Sequence, residues 1–486
     1  MIRRAQGHAQ GHSQGQPKQQ MVEPLQLSAK PSSSASATAT DIDDDDDDTE
    51  DETEPSIAPL LHLASAHCTS QAVHAAVRLR IPDILGEAED KSKNDQGNND
   101  ASSDRSSRLL AKAMTIDELS KKIGSTTHTA ALLRILRLLT AADILVQVEK
   151  EVDDSAGSAA GHAVPAFCLT KTGRLLRTTT TTKKKKKSEN NPPSNNNTGM
   201  ASCILHLMAR PLWDAWFEVP GYVQDGPSSP PPFDRANGGV SSDAYYNQRD
   251  NPESLRHAND FVRIIYEQEL RAVVQGFDWA RLADAVMHVV DVGGHHGQLI
   301  RAIRRNHPGI DGYCLDLPEV IANAPLPFTS PSASLPTNAG LNDNNDNAVK
   351  LVGGNALDPL TIPDCDVILM KHFLDRCMWN EEETVKVLQS CRAALLRSVR
   401  ANDGPNNDDQ GTVIVADAVL PNVGGGGANN NKAALQMDAM YMLVGREGQR
   451  TEYEWERLAL AAGFRMERTV PTPVPTCHLI IMKVVP

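Results

Sequence analysis

The sequence predicts an α/β protein: a doubly wound parallel sheet carrying helices on both faces, preceded by a smaller, mainly helical module. Three observations predict it. From Met287 onward, short apolar runs alternate with amphipathic stretches, the rhythm of a strand-helix-strand sheet. The first run, "VVDVGGHHGQL" (residues 289–299), passes from a buried strand through a glycine turn into a helix. Upstream, between Ile57 and Thr170, apolar residues recur at helical spacing and then give way to two strand-like runs.

Residues 1–54 are low-complexity and read as a disordered acidic tail, because they cannot bury enough apolar surface to offset ordering entropy. Residues 55–177 read as a winged-helix-like module. Leu60, Leu61, Leu63, Val73, Val77 and Ile84 mark two amphipathic helices between Ile57 and Leu85, and a polar gap follows from Asp90 to Arg108. Thr115 caps a helix that runs through Ile123, with Glu118 completing a capping box. The apolar stripe from Leu132 to Leu139 marks the next helix, and strands follow at 144–148 and 166–170. The stripe carries only Arg134 and Arg137, too few for a helix that tracks phosphates, so packing or dimerisation is expected and nucleic acid is not. Residues 178–199, with five consecutive lysines among Thr, Asn and Pro, read as a disordered surface insertion. Residues 200–275 read as a helical connector that reaches the substrate pocket, and 276–486 as the sheet domain. Strands are expected there at 287–292, 310–315, 349–353, 366–370, 411–416, 465–470 and 476–484. Helices are expected at 298–306, 318–324, 381–397, 433–445 and 452–462, with polar insertions at 327–348, 400–410 and 422–431.

The totals narrow the function classes. Of 486 residues only 4% are aromatic, and much of the net charge of -14 comes from the block Asp41 to Glu54, which disfavours a polyanionic partner. Eight cysteines show no paired spacing, so neither zinc nor a disulfide framework is signalled and a reducing, cytoplasmic setting is expected. No secretory leader is apparent at the first residues, and no apolar run of about 18 residues predicts a membrane span.

In such sheets ligands sit beyond the carboxyl ends of the strands, which puts Asp291, Gly293, Gly294 and Gly297 at the site. The dinucleotide pattern G-x-G-x-x-G is broken by His295 and His296, which counts against a nicotinamide oxidoreductase. An acid at the mouth of the first strand suits a cationic ligand better than a pyrophosphate. Asp316, ending the second strand, is placed to hold ribose hydroxyls. The adjacent histidines lack a third ligand, and neighbours in a turn rarely point the same way, so no metal is expected.

The ordered segments "VVDVGGHHGQL", "GYCLDLPEV", "LVGGNAL", "DVILMKHFLDR", "VIVADAVLP" and "GQRTEYEWERLALAAGF" resemble the small-molecule O-methyltransferases of plants, fungi and bacteria, of the caffeate and hydroxyindole type. Upstream, "IDELSKKIG" and "LLRILRLLTAADIL" resemble that family's N-terminal dimerisation domain. The resemblance implies a Rossmann-like methyltransferase sheet, S-adenosyl-L-methionine as cofactor, a homodimer, and a small aromatic substrate bearing a hydroxyl. It implies that Asp291 and the glycine turn hold the methionine part, Asp316 and Leu317 the ribose, Asn355 and Ala356 the adenine, with Lys371 on the cofactor side. The family's histidine base falls at Asp375, and the acids that orient it fall at Asp417 and Gln449. His372, three positions before Asp375 and about one turn away if the segment is helical, is the alternative base. Met437, Met440 and Tyr441 lie on the helix that lines the family's acceptor pocket. With the base replaced and one acid lost, the alternative function is a cofactor-binding relative that no longer transfers methyl groups.

Overall fold

A computed structural model describes residues 56–95, 105–152, 162–178, 199–247, 252–323, 349–376, 378–401, 411–422 and 432–485. The expected acidic tail, and nearly all of the expected insertions at 178–199, 327–348, 400–410 and 422–431, lie outside these residues. Pro59–Pro486 forms one compact unit.

The N-terminal region is helical with a small antiparallel sheet. Helices Ala58–Arg78, Ile81–Asp95, Ile116–Ile123 and Thr129–Ala141 pack Ala72, Ala76, Ile81, Leu85, Leu119, Leu132 and Leu136 into one core. The capping box at Thr115 forms as expected. Strands β1 (Met114–Thr115), β2 (Leu145–Val152) and β3 (His162–Leu169) pair in the order β1-β3-β2. The polar gap was placed too early. Helix Ile81–Asp95 continues into it because its acids are satisfied: Asp83 accepts from the Thr178 N–H and hydroxyl at 2.7 Å each, while Glu89 and Asp90 pair with Arg174 and Arg177 at 2.8 Å. A second helix, Arg105–Leu110, occupies the gap's far end.

In the C-terminal region the strands are β4 (His288–Val292), β5 (Asp311–Asp316), β6 (Lys350–Gly353), β7 (Val367–Lys371), β8 (Thr412–Asp417), β9 (Phe464–Val470) and β10 (His478–Val484). They form one sheet in the order β6-β5-β4-β7-β8-β10-β9. The expected parallel sheet runs from β6 through β8, and the final pair joins it with β10 antiparallel to both β8 and β9. A short loop from β9 to β10 permits only that direction, since a parallel return needs a long crossover.

Alternation along each strand feeds two cores. Val290, Ile368, Met370, Val413, Val415 and Ile480 meet helices Glu381–Ala401 and Glu452–Ala461. Val289, Val367, Leu369, Ile414 and Leu479 meet helix Gln298–Asn306, Trp279 and Val273 of the long helix Pro252–Gly276. Successive side chains of a strand point to opposite faces, so Asp291 and Lys371 emerge on the second of these faces, toward helix Pro252–Gly276. The chain passes outward from β4 to β5 and β6, then returns to β7 on the other side of β4. That reversal opens a crevice at the strand ends.

Candidate active site

Four parallel strands deliver the expected ligand-side residues to that crevice. Gly293 follows β4 with φ +72°, and a Cβ there would fall 2.0 Å from the Phe373 ring. At Gly294 a Cβ would fall 2.6 Å from Asp291 Oδ2. Gly297, also left-handed at φ +74°, opens helix Gln298–Asn306. The turn is thus bare backbone lying against a carboxylate, a cradle that any side chain would fill. His295 takes φ 54°, a conformation that histidine tolerates better than most residues. Its ring and that of His296 lie 3.8 Å apart between centroids, so the expectation that they diverge does not hold. Among the described residues, no group of three or more His, Cys, Asp or Glu is arranged to hold a metal ion.

Asp291 is 2% exposed, and its Oδ2 is buried without a hydrogen-bond partner. Burial raises its pKa to about 7. An orphaned carboxylate oxygen beside a side-chain-free turn fits the positively charged end of a ligand. Asp316, at the end of β5, accepts the His295 N–H on Oδ2 at 2.7 Å and the Leu317 N–H on Oδ1 at 2.8 Å. These two bonds fix the carboxylate at the crevice's mouth while each oxygen keeps further accepting capacity. Beyond β6, Asn355 closes a local turn by accepting the Leu357 N–H at 3.0 Å, and Ala356 joins the core.

The end of β7 departs from the expected layout. His372 leaves the strand with φ 49° and donates its N–H to the Ala416 carbonyl, so no helical turn relates it to Asp375. Its Nδ1 lies 3.1 Å from Asp417 Oδ1 and its Nε2 lies 2.9 Å from Glu269 Oε1. The other oxygen of Glu269 lies 2.8 Å from Lys371 Nζ, which also sits 4.5 Å from the centre of the Tyr266 ring. Thr476 donates its hydroxyl to Glu269 at 2.8 Å. Burial works against the charge on His372, but Glu269 and Asp417 outweigh it and raise its pKa to about 9. Burial likewise opposes ionisation of Glu269, yet His372 and Lys371 bring it down to about 2. A cation-carboxylate chain therefore runs Lys371, Glu269, His372, Asp417. Sequence reasoning missed Glu269. Its signal was an acid between Tyr266 and Val273 on the buried stripe of helix Pro252–Gly276, where an apolar residue is the rule.

Asp417 accepts the Ala418 N–H at 2.8 Å, and its Oδ2 is buried without a partner. It bonds His372, not Asp375. Asp375 lies on the loop that follows, half-buried, and its carboxylate is felt electrostatically at Tyr441 and Arg450. Arg450, 2% exposed, secures this loop by donating to the Leu374 and Trp379 carbonyls and to Thr384, with its guanidinium 5.0 Å from the Trp455 ring centre. Gln449 donates its backbone N–H to Asp438 at 2.6 Å, and Thr451 forms the expected capping box with Glu454. On helix Lys432–Leu443, Tyr441 lies within the field of Glu269, Asp375 and Asp417, while Met437 is half-buried. Met440, half-buried, packs against the cluster of Leu212, Phe233, Tyr246 and Leu443.

An O-methyltransferase domain model matches residues 216–465, just over half of the chain. The chain belongs to the O-methyltransferase family. Over 52% of its length it is 30% identical to a bergaptol O-methyltransferase of Ammi majus, covering 59% of that protein. Over 50% of its length it is 33% identical to nicotinate N-methyltransferase 1 of Oryza sativa subsp. japonica, covering 57% of that protein. These alignments thus span somewhat over half the length of either relative. Among solved structures, the SAH-bound form of CalO1, a methyltransferase in calicheamicin biosynthesis, matches 88% of this chain and 98% of its own with a TM-score of 0.55 and 24% identity. That likeness covers both the helical N-terminal region and the sheet of this family member.

Proposed function

We propose that the protein transfers a methyl group from S-adenosyl-L-methionine to a hydroxyl of a small aromatic acceptor. The observation that carries this reading is the crevice at the ends of β4 and β5: the orphaned Asp291 oxygen, the bare turn of Gly293, Gly294 and Gly297, and the fixed carboxylate of Asp316. Asp291 and the turn would hold the cationic methionine end, Asp316 and Leu317 the ribose, and Asn355 with Ala356 the adenine edge. When bound, the sulfonium supplies an electrophilic methyl carbon. Lys371, through Glu269, ties helix Pro252–Gly276 to the strand ends and keeps the crevice's wall in place. On the acceptor side stand Asp375, Gln449, Met437 and Tyr441, with His372 and Asp417 positioning from behind. Positioning then accounts for most of the rate. Relatives that methylate bergaptol and xanthohumol support an aromatic oxygen as acceptor.

The exposed leucines of helix Ala58–Arg78 support a homodimer built on residues 55–177, with 200–275 as connector and 276–486 as the cofactor-binding domain. Cysteines free of disulfides among the described residues support a cytoplasmic setting. Among those residues no helix is long and apolar enough to cross a membrane. A second reading, cofactor binding without transfer, is favoured by the replacement of the family's base by Asp375. Incubation with methyl-labelled S-adenosylmethionine and a phenol panel separates them: label in a phenol supports transfer, and tight cofactor binding with no labelled phenol supports the second reading.

A further inference from the structure

We propose that the acceptor hydroxyl is an acidic one, a phenol or enol that enters the site already ionised, because the histidine at the ends of β7 and β8 has both ring nitrogens committed to carboxylates and neither free to take its proton. This inference rests on the methyl-transfer reading. His372 is the one histidine in the chain Lys371, Glu269, His372, Asp417, and both of its ring nitrogens are committed, Nδ1 to Asp417 at 3.1 Å and Nε2 to Glu269 at 2.9 Å. A ring donating from both nitrogens to carboxylates is an imidazolium, which has no lone pair to offer. Glu269 and Asp417 hold it in that state against the cost of burial, and the titratable and charged groups around it come from several elements. Glu269 comes from helix Pro252–Gly276, Asp417 from β8, Lys371 from β7, and Asp375 from the following loop. Tyr441 comes from helix Lys432–Leu443, and Cys477, just before β10, also feels Glu269, Lys371 and Asp417. Glu269 cannot release the ring cheaply, since it is 3% exposed and also serves Lys371 and Thr476.

The remaining groups are poor proton acceptors. Gln449 is an amide without basic character. Carboxylates as a class are much weaker bases than phenolates, whereas an acidic phenol asks no base of the site. The step balances without a base. The oxygen's lone pair forms the oxygen-carbon bond as the carbon-sulfur pair stays with sulfur. The negative charge on oxygen and the positive charge on sulfur cancel, and the proton has already gone to solvent.

Two measurements on the full chain test this. In imidazole nitrogen NMR, a resonance lost in His372→Gln should be that of an imidazolium at pH 7 and remain so at pH 8. A neutral His372 ring at pH 7 overturns the proposal without any appeal to turnover. With labelled S-adenosylmethionine and substituted phenols of pKa from about 5 to about 10, the acidic limb of kcat/KM should move about one pH unit for each unit of acceptor pKa. It should keep that dependence on acceptor pKa in Asp375→Asn too, whatever the change in rate. A limb at one pH for all acceptors, erased by Asp375→Asn or His372→Gln, overturns the inference and leaves methyl transfer standing. No transfer to any phenol overturns both.

Discussion

Glu269 holds more of the site together than any other single side chain, and its removal should show it. Glu269→Ala leaves the largely buried Lys371 and the half-buried His372 beside each other without their shared carboxylate. Loss of one partner from such a cluster costs about 3 to 5 kcal/mol, to be read in urea unfolding. The same cluster sets a pH window. Glu269, depressed to about 2 from 4.5, contributes stability that is present above pH 4.5 and lost as pH falls through 2. His372, raised to about 9 from 6.5, contributes stability that is full below pH 6.5 and lost as pH rises through 9. The cluster's two contributions are therefore both complete between about pH 4.5 and 6.5. Between pH 6.5 and 9 the wild type should lose stability that His372→Gln does not; parallel curves for the two would remove the imidazolium from the account. None of this was legible in the sequence, because Glu269 stands far along the chain from Lys371, His372 and Thr476 and only the fold joins them. Asp291 and Asp316 were legible, since a strand that ends in an acid beside a glycine turn is a local pattern.

At the level of elements, the turn after β4 carries the strongest constraint. Gly293→Ala would put a methyl carbon 2.0 Å from the Phe373 ring at a φ of +72°. It should cost about 1 to 3 kcal/mol and loosen the loop that bears His372 and Asp375. Denaturant midpoints of wild type and variant measure this, and equal midpoints would mean that the turn is not so tightly packed. The same turn shows why most strands could be placed to within a residue or two. The central parallel strands β7 and β8 are buried on both faces, so each reads as a nearly continuous apolar run that ends at a charged residue. The direction of β10 could not be read that way, since strand pairing is a property of two segments and the loop between them. Helix Ile81–Asp95 was foreshortened for a similar reason: its polar second half is held by Arg174 and Arg177, distant residues that local periodicity does not see.

At the level of the whole molecule, the N-terminal helices were expected to pair with a second subunit, and the fold refines that expectation. Ile81 and Leu85 are spent on the chain's own core, whereas Leu60, Leu61 and Leu63 are 60 to 69% exposed. Three neighbouring exposed leucines on one helix end form an apolar surface suited to a symmetric contact. Light scattering at micromolar concentration should give a dimer, reduced to monomer by Leu60→Glu with Leu63→Glu; a wild-type monomer would contradict it.

The central claim, that the crevice at the ends of β4 and β5 is built for S-adenosylmethionine, is tested most directly by titration calorimetry with S-adenosylhomocysteine. Binding should be saturable at one site per chain, and Asp316→Ala should weaken it by about 1 to 3 kcal/mol, roughly 5- to 150-fold, by leaving the ribose hydroxyls unpaired. Absence of binding, or binding of NADH in its place, would contradict the account.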